Sequence, residues 1–130
     1  MAIYTNLPIY KSAYSLLLAI ARITPNMPRE CRYSIGLDVR NKVMEIILLV
    51  YKANCTKHKA NIINRMRESL LEVQVYIRLM CDLKYISEGC YMMLAEQTVS
   101  MSKQMTAWEK SENHKDSGDV CNNTSFSMVR

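Results

Sequence analysis

Apolar side chains recur at helical spacing through most of the chain, in four blocks parted by short polar or proline-bearing breaks. In the first block Ile9, Ala13, Leu16, Leu17, Ile20 and Ile23 share a face, which predicts a helix over residues 9–24. Thr24-Pro25-Asn26-Met27-Pro28 ends it, because each proline disfavours α geometry in the residue before it. The second block, MPRECRYSIGLDVRNKVMEIILLVYKAN over residues 27–54, predicts one long helix opening at Arg29 and Glu30. Its length of about 25 residues corresponds to roughly 37 Å. Ile35, Val39, Val43, Ile46, Val50 and Ala53 fall within about 80° of one another on a helical projection and form its core stripe. The back of the same helix is also apolar, carrying Leu37, Met44, Leu48 and Tyr51, with Asp38, Lys42, Glu45 and Lys52 along one flank between the stripes. Gly36 inside a helix costs about 1 kcal/mol against alanine, which predicts a close helix approach at that point, with tolerated slack as the alternative.

The third block predicts a helix over residues 59–84, with Ile62, Met66, Leu70, Val73, Ile77 and Met80 toward the core. It too has a second stripe, Leu71, Val75 and Leu79, and a polar strip, Arg67, Gln74 and Arg78, between the two. Ser87 then reads as an N-cap, with Glu88 at the positive end of the helix dipole. A fourth helix follows to about Glu112 through Tyr91, Leu94, Thr98, Met101, Met105 and Trp108, its methionines read as adaptable core filler. The expected fold is all-α: an up-down-up-down antiparallel four-helix bundle over residues 1–112, with a polar, disordered tail over 113–130. A bundle buries only one stripe of each helix. The doubled faces of the second and third helices therefore predict a homo-oligomer, with Leu37, Met44, Leu48, Tyr51, Leu71, Val75 and Leu79 at its interface.

Three glycines and three prolines among 130 residues agree with long uninterrupted helices. The longest uncharged run near the start, residues 12–21, is too short to span a bilayer, and residues 1–7 lack the features of a signal peptide. Five cysteines without a CxxC pair read as reduced thiols, and the expected location is cytoplasmic, with no membrane partner. The net charge of +5 is uneven: residues 1–86 hold 13 Lys and Arg against 6 Asp and Glu, and residues 87–130 hold 4 against 6. A basic surface of this kind attracts polyanions by long-range electrostatics and counterion release.

Catalytic and metal chemistry finds little support. No Glu is followed three residues later by His, so the di-iron pattern of helical bundles is absent. Cys55 and His58 stand three apart, but two ligands without a second pair fall short of a zinc site, so no metal and no cofactor is expected. Glycines are too few for a phosphate-cradling loop, and no Cys/His arrangement compels a nucleophile. The expected function is non-enzymatic. Among the cations, Arg29, Arg32, Arg40, Lys52, Lys57, Lys59, Arg65, Arg67 and Arg78 are the candidate nucleic-acid contacts, mostly to phosphates.

The segments NLPIYKSAYSLLLAIARIT, MPRECRYSIGLDVRNKVMEIILLVYKAN and LKYIS resemble the accessory variability determinant proteins of diversity-generating retroelements. These belong to a wider group of four-helix bundles that includes the proteins encoded in 23S rRNA intervening sequences. The resemblance spans about residues 6–110 and is most specific at Pro8-Ile9-Tyr10-Lys11, at Pro28-Arg29-Glu30 through Tyr33 and Gly36, at Arg40, and at Tyr51-Lys52-Ala53-Asn54. It implies a homopentameric, barrel-like ring with a basic surface. It also implies association with a reverse transcriptase and its template RNA, with DNA as a further candidate partner, during mutagenic cDNA synthesis. No catalytic residues carry over, because the polymerase is a separate chain. The alternative is an oligomeric protein-interaction bundle of the intervening-sequence type that does not itself bind nucleic acid.

Overall fold

The computed structural model describes the backbone of residues 3–122 and the side chains of residues 3–112. Within them the chain is all-helical, with four long helices and one short one: α1 (Pro8–Ile23), α2 (Arg29–Arg32), α3 (Ile35–Asn54), α4 (Ala60–Asp82) and α5 (Glu88–Asn122). Successive long helices pack side by side, and α5 also packs on α1, so the four form a square in the order α1, α3, α4, α5. Paired side chains fix the antiparallel sense. Lys42 meets Glu72 while Glu45 meets Ser69 across α3 and α4, and Arg67 meets Glu109 while Gln74 meets Thr98 across α4 and α5.

Pro8 occupies the first position of α1, where its missing N–H would have no helical partner. At the other end Thr24 Oγ1 donates to the Ile20 carbonyl at 2.6 Å, and a 3-10 turn over Thr24–Asn26 leads away. The single helix expected over residues 29–54 is divided. Tyr33 and Ser34 leave helical geometry, with Ser34 at φ −127° and ψ −94°, and the Ser34 hydroxyl donates back to the Glu30 carbonyl. The chain re-enters helix at Ile35, and the offset drives the Cys31 carbonyl toward Gly36. A Cβ on Gly36 would lie 2.9 Å from that oxygen. Gly36 thus admits the preceding turn of its own chain rather than the close approach of another helix, and a side chain there would collide with backbone.

The α4–α5 connection is a Schellman turn. Tyr85 N–H donates to the Met80 carbonyl at 2.8 Å, Lys84 N–H donates to the Cys81 carbonyl at 3.0 Å, and Lys84 sits between them at φ +64°. Ser87 then caps α5 as its position predicts, its hydroxyl accepting from the Cys90 N–H at 3.0 Å. The backbone of α5 runs past the expected end at Glu112 to Asn122, and the tail assigned to residues 113–130 lies outside the described side chains.

The core follows the predicted stripes with a shift at the start of α4 and two additions on α3, Ile47 and Leu49, buried beside the expected stripe. Ala13, Leu16 and Ile20 of α1 meet Val39, Val43, Ile46 and Val50 of α3, Met66, Val73, Ile77 and Met80 of α4, and Leu94, Met101 and Met105 of α5, all fully or almost fully buried. At the start of α4 Ile63, rather than Ile62, is fully buried; Ile62 packs partly exposed against the edge. Met101 and Met105 fill the core as expected of flexible thioethers, whereas Met92 and Met93 on the same helix face outward. Cys31, Cys55, Cys81 and Cys90 are free thiols, and burial raises the pKa of Cys31 and Cys90. No helix among the described residues is long and apolar enough to cross a membrane, and no group of three metal-ligating side chains occurs among them.

Candidate nucleic-acid interface

The cations divide into those neutralised within the fold and those left open. Lys42 on α3 reaches Glu72 at 2.9 Å and Glu45 at 3.3 Å, and hydrogen bonds to the two carboxylates raise its pKa. Glu45 also accepts from the Ser69 hydroxyl at 2.9 Å, the main cause of its lowered pKa, and lies 3.8 Å from Arg65. This charged ladder closes the α3–α4 seam. The α4–α5 seam is closed by the strip Arg67, Gln74 and Arg78. Arg67 Nη2 donates to Glu109 at 2.6 Å and to Thr106 at 3.0 Å, and Gln74 donates to the Thr98 hydroxyl at 3.2 Å. Arg78 bonds Asp82 at 3.2 Å and lies over the Tyr91 ring, 5.8 Å from its centroid; its pKa is raised by Tyr91 first and Asp82 second.

Of the nine predicted contacts, Arg65, Arg67 and Arg78 therefore already have acidic or aromatic partners. Lys59 departs furthest from expectation. It is only 2% exposed, and its ammonium donates to the Thr56 carbonyl at the α3–α4 turn, so burial removes it from any phosphate-binding surface. Sequence patterning gives no warning of this, since lysine is among the residues least often buried.

No ion pair among the described residues engages Arg29, Arg32, Arg40, Lys52 or Lys57. The antiparallel order places them at the two ends of the bundle. Arg29 and Arg32 on α2 and Arg40 early in α3 gather at one end with Arg22 from the last turn of α1. Arg29, Arg40 and Arg22 are exposed, whereas Arg32 is half-buried with its Nε buried and without a hydrogen-bond partner. Glu30 is the single carboxylate in residues 1–37, Asp38 follows in the first turn of α3, and the antiparallel order brings Asp82 and Glu88 toward the same end. Lys52 and Lys57 mark the opposite end, at the α3–α4 turn, both exposed.

The predicted interface residues are all exposed large apolar side chains: Leu37, Met44, Leu48 (53%) and Tyr51 on α3, and Leu71 (60%), Val75 (58%) and Leu79 on α4. Two companions were not foreseen. Tyr4, Tyr10 and Tyr14 gather beside Tyr51, with Tyr4 edge-on to Tyr10 at 5.3 Å and to Tyr51 at 5.1 Å, and Tyr10 stacked on Tyr14 at 6.1 Å. Met92 (61%) and Val99 of α5 line a shallow surface with Tyr91 and Ala95, and Met93 is exposed on the same helix. The spacing of Tyr10 and Tyr14 at i, i+4 was a readable signal, but Tyr4 arrives from a 3-10 turn outside any helix. A comparison of the chain with known proteins finds no matching family model and no matching curated protein.

Proposed function

We propose that this protein is a non-enzymatic, oligomeric nucleic-acid-binding subunit of the kind its sequence resembles, serving a reverse transcriptase and its template RNA in a diversity-generating retroelement. The observation that supports nucleic-acid binding most directly is the cluster of Arg22, Arg29, Arg32 and Arg40 at one end of the bundle, none of them held in an ion pair among the described residues. Unpaired arginines present planar donors suited to phosphate and leave counterions to be released on binding. Self-association is supported by the exposed apolar stripes on α3, α4 and α5, which exceed the scattered apolar residues of an ordinary monomer surface. Sides that bind copies and ends that bind nucleic acid do not compete for the same surface. In a ring whose subunit axes run along its own axis, the arginine-bearing ends would make up one rim.

Binding of the full chain to structured RNA across a salt series, beside duplex DNA of equal charge, tests this. Binding with a steep negative slope in log salt is expected, and replacing Arg29 and Arg40 by alanine flattens that slope by about one to two units. Absence of binding even at low salt overturns it. The second reading, a protein-interaction oligomer of the 23S rRNA intervening-sequence type without nucleic-acid binding, is favoured by the same apolar faces and would then take its place.

A further inference from the structure

Two cysteines face each other where α4 turns into α5. Gln74 of α4 bonds Thr98 of α5, and Arg78 over Tyr91 carries that antiparallel register into the last turns before the loop. Cys81 lies seven residues on from Gln74, and Cys90 lies eight before Thr98 with Leu94 between them, so the facing stripes of the two helices end on this pair.

Both thiols are free and half-buried, but they are not equivalent. Cys81 lines an open cavity of about 570 Å³ at the end of the bundle, together with Lys84, Tyr85 and Glu88. Cys90 packs against the core; burial raises its pKa, and the neighbouring Cys81 thiol adds to the rise. One sulfur is therefore reachable from solvent, and the other stands behind it. The remaining described cysteines lack such a neighbour. Cys31 is fully buried against Met27, its Sγ 3.5 Å from the thioether sulfur, and Cys55 is exposed at the opposite end of the bundle.

We propose that Cys81 and Cys90 form a thiol–disulfide exchange site for a small disulfide such as oxidised glutathione. The Cys81 thiolate attacks one sulfur of the oxidant, which releases one glutathione thiolate and leaves a mixed disulfide on Cys81. The Cys90 thiolate then attacks the Cys81 sulfur and expels the second glutathione. Two protein thiols are oxidised to one disulfide, the oxidant is reduced to two thiols, and the two protons lost by the cysteines pass to the glutathione thiolates. The bond closes a ten-residue loop around the Schellman turn. It clamps α4 to α5 at the end that also carries Arg22, Arg29, Arg32 and Arg40. A reversible disulfide of this kind suits thiols that are reduced at rest.

Incubating the folded full chain with oxidised glutathione, followed by trypsin and mass spectrometry without reduction, tests this. Trypsin cuts after Lys84, so the bond is expected as a link between peptides 79–84 and 85–103. Cys90→Ser is expected to retain glutathione on Cys81, whereas Cys81→Ser takes up at least about tenfold less on Cys90 under the same conditions. The linked chain is expected to melt about 5–10 °C above the reduced one. Glutathione held on Cys81 of the unaltered chain without a link, a link from either thiol to another cysteine, or no reaction at either thiol overturns the pairing. Equal uptake by the two serine variants overturns the order of attack, and a linked chain that melts no higher than the reduced one overturns the clamp. The link is read in the unaltered chain, so it decides the pairing even if a serine variant fails to fold.

Discussion

Arg67 and Glu109, forty-two positions apart in sequence, meet at 2.6 Å across the α4–α5 seam, and Thr106 accepts a second hydrogen bond from the same guanidinium nitrogen. Their side chains are 33% and 28% exposed, so solvent weakens the pair without removing it. Arg67→Ala is expected to lower stability by about 1–2 kcal/mol in urea unfolding, through the lost hydrogen bonds and the carboxylate left without a partner. Its effect on RNA binding is expected to be small beside that of Arg29→Ala. A variant that keeps full stability but loses binding would instead return Arg67 to the nucleic-acid surface.

Gly36→Ala separates two accounts of the same glycine. In an unconstrained helix the change stabilises by about 1 kcal/mol. Here the new Cβ would stand 2.9 Å from the Cys31 carbonyl, and backbone must shift to admit it. The expected result is a net loss of about 1–2 kcal/mol in urea unfolding, since overpacking outweighs the propensity gain. A gain in stability would show that the α2–α3 offset yields without cost.

What periodicity could read was the interior and the seams. The stripe through Val39, Val43, Ile46 and Val50 is buried as its spacing required, and Arg67, Gln74 and Arg78 line one seam because 3.6-residue periodicity puts i, i+7 and i+11 together. The break at Tyr33 and Ser34 escaped it, because neither residue is a helix breaker; only Gly36, two positions on, carried the trace of a tight approach. The open arginines were legible as charge but not as open, since pairing depends on which carboxylates the neighbouring helix supplies. Glu45, Glu72 and Glu109 neutralise Lys42, Arg65 and Arg67, whereas the α1–α2 segment has little to offer Arg22, Arg29 and Arg40.

Lys84 holds a left-handed conformation at φ +64°, where an L side chain costs roughly 1 kcal/mol and glycine almost nothing. Lys84→Gly is therefore expected to raise stability by about 0.5–1 kcal/mol, seen as an increase of a few degrees in melting temperature, while preserving the Schellman hydrogen bonds from Tyr85 and Lys84. No change or a decrease would mean that the lysine side chain makes a compensating interaction at the turn.

The α3–α4 ladder gives stability a pH dependence whose sign follows from Glu45. Its pKa is lowered in the folded chain, first by the hydrogen bond from Ser69 and then by Lys42 and Arg65. A carboxylate with a depressed folded pKa stabilises above its unfolded value, and that contribution is lost as pH falls through the folded one. Lys42 acts at the other extreme. Its pKa is raised by Glu72 and Glu45, so its contribution is complete below the unfolded lysine value and disappears as pH rises through the folded one. Unfolding free energy measured against pH should fall on the acid side through the carboxylate range. Ser69→Ala removes the largest cause of the Glu45 shift and should make the acid limb shallower by a few tenths of a kcal/mol, the scale of a partly exposed site. An acid limb unchanged in Ser69→Ala would assign the acid sensitivity to other carboxylates.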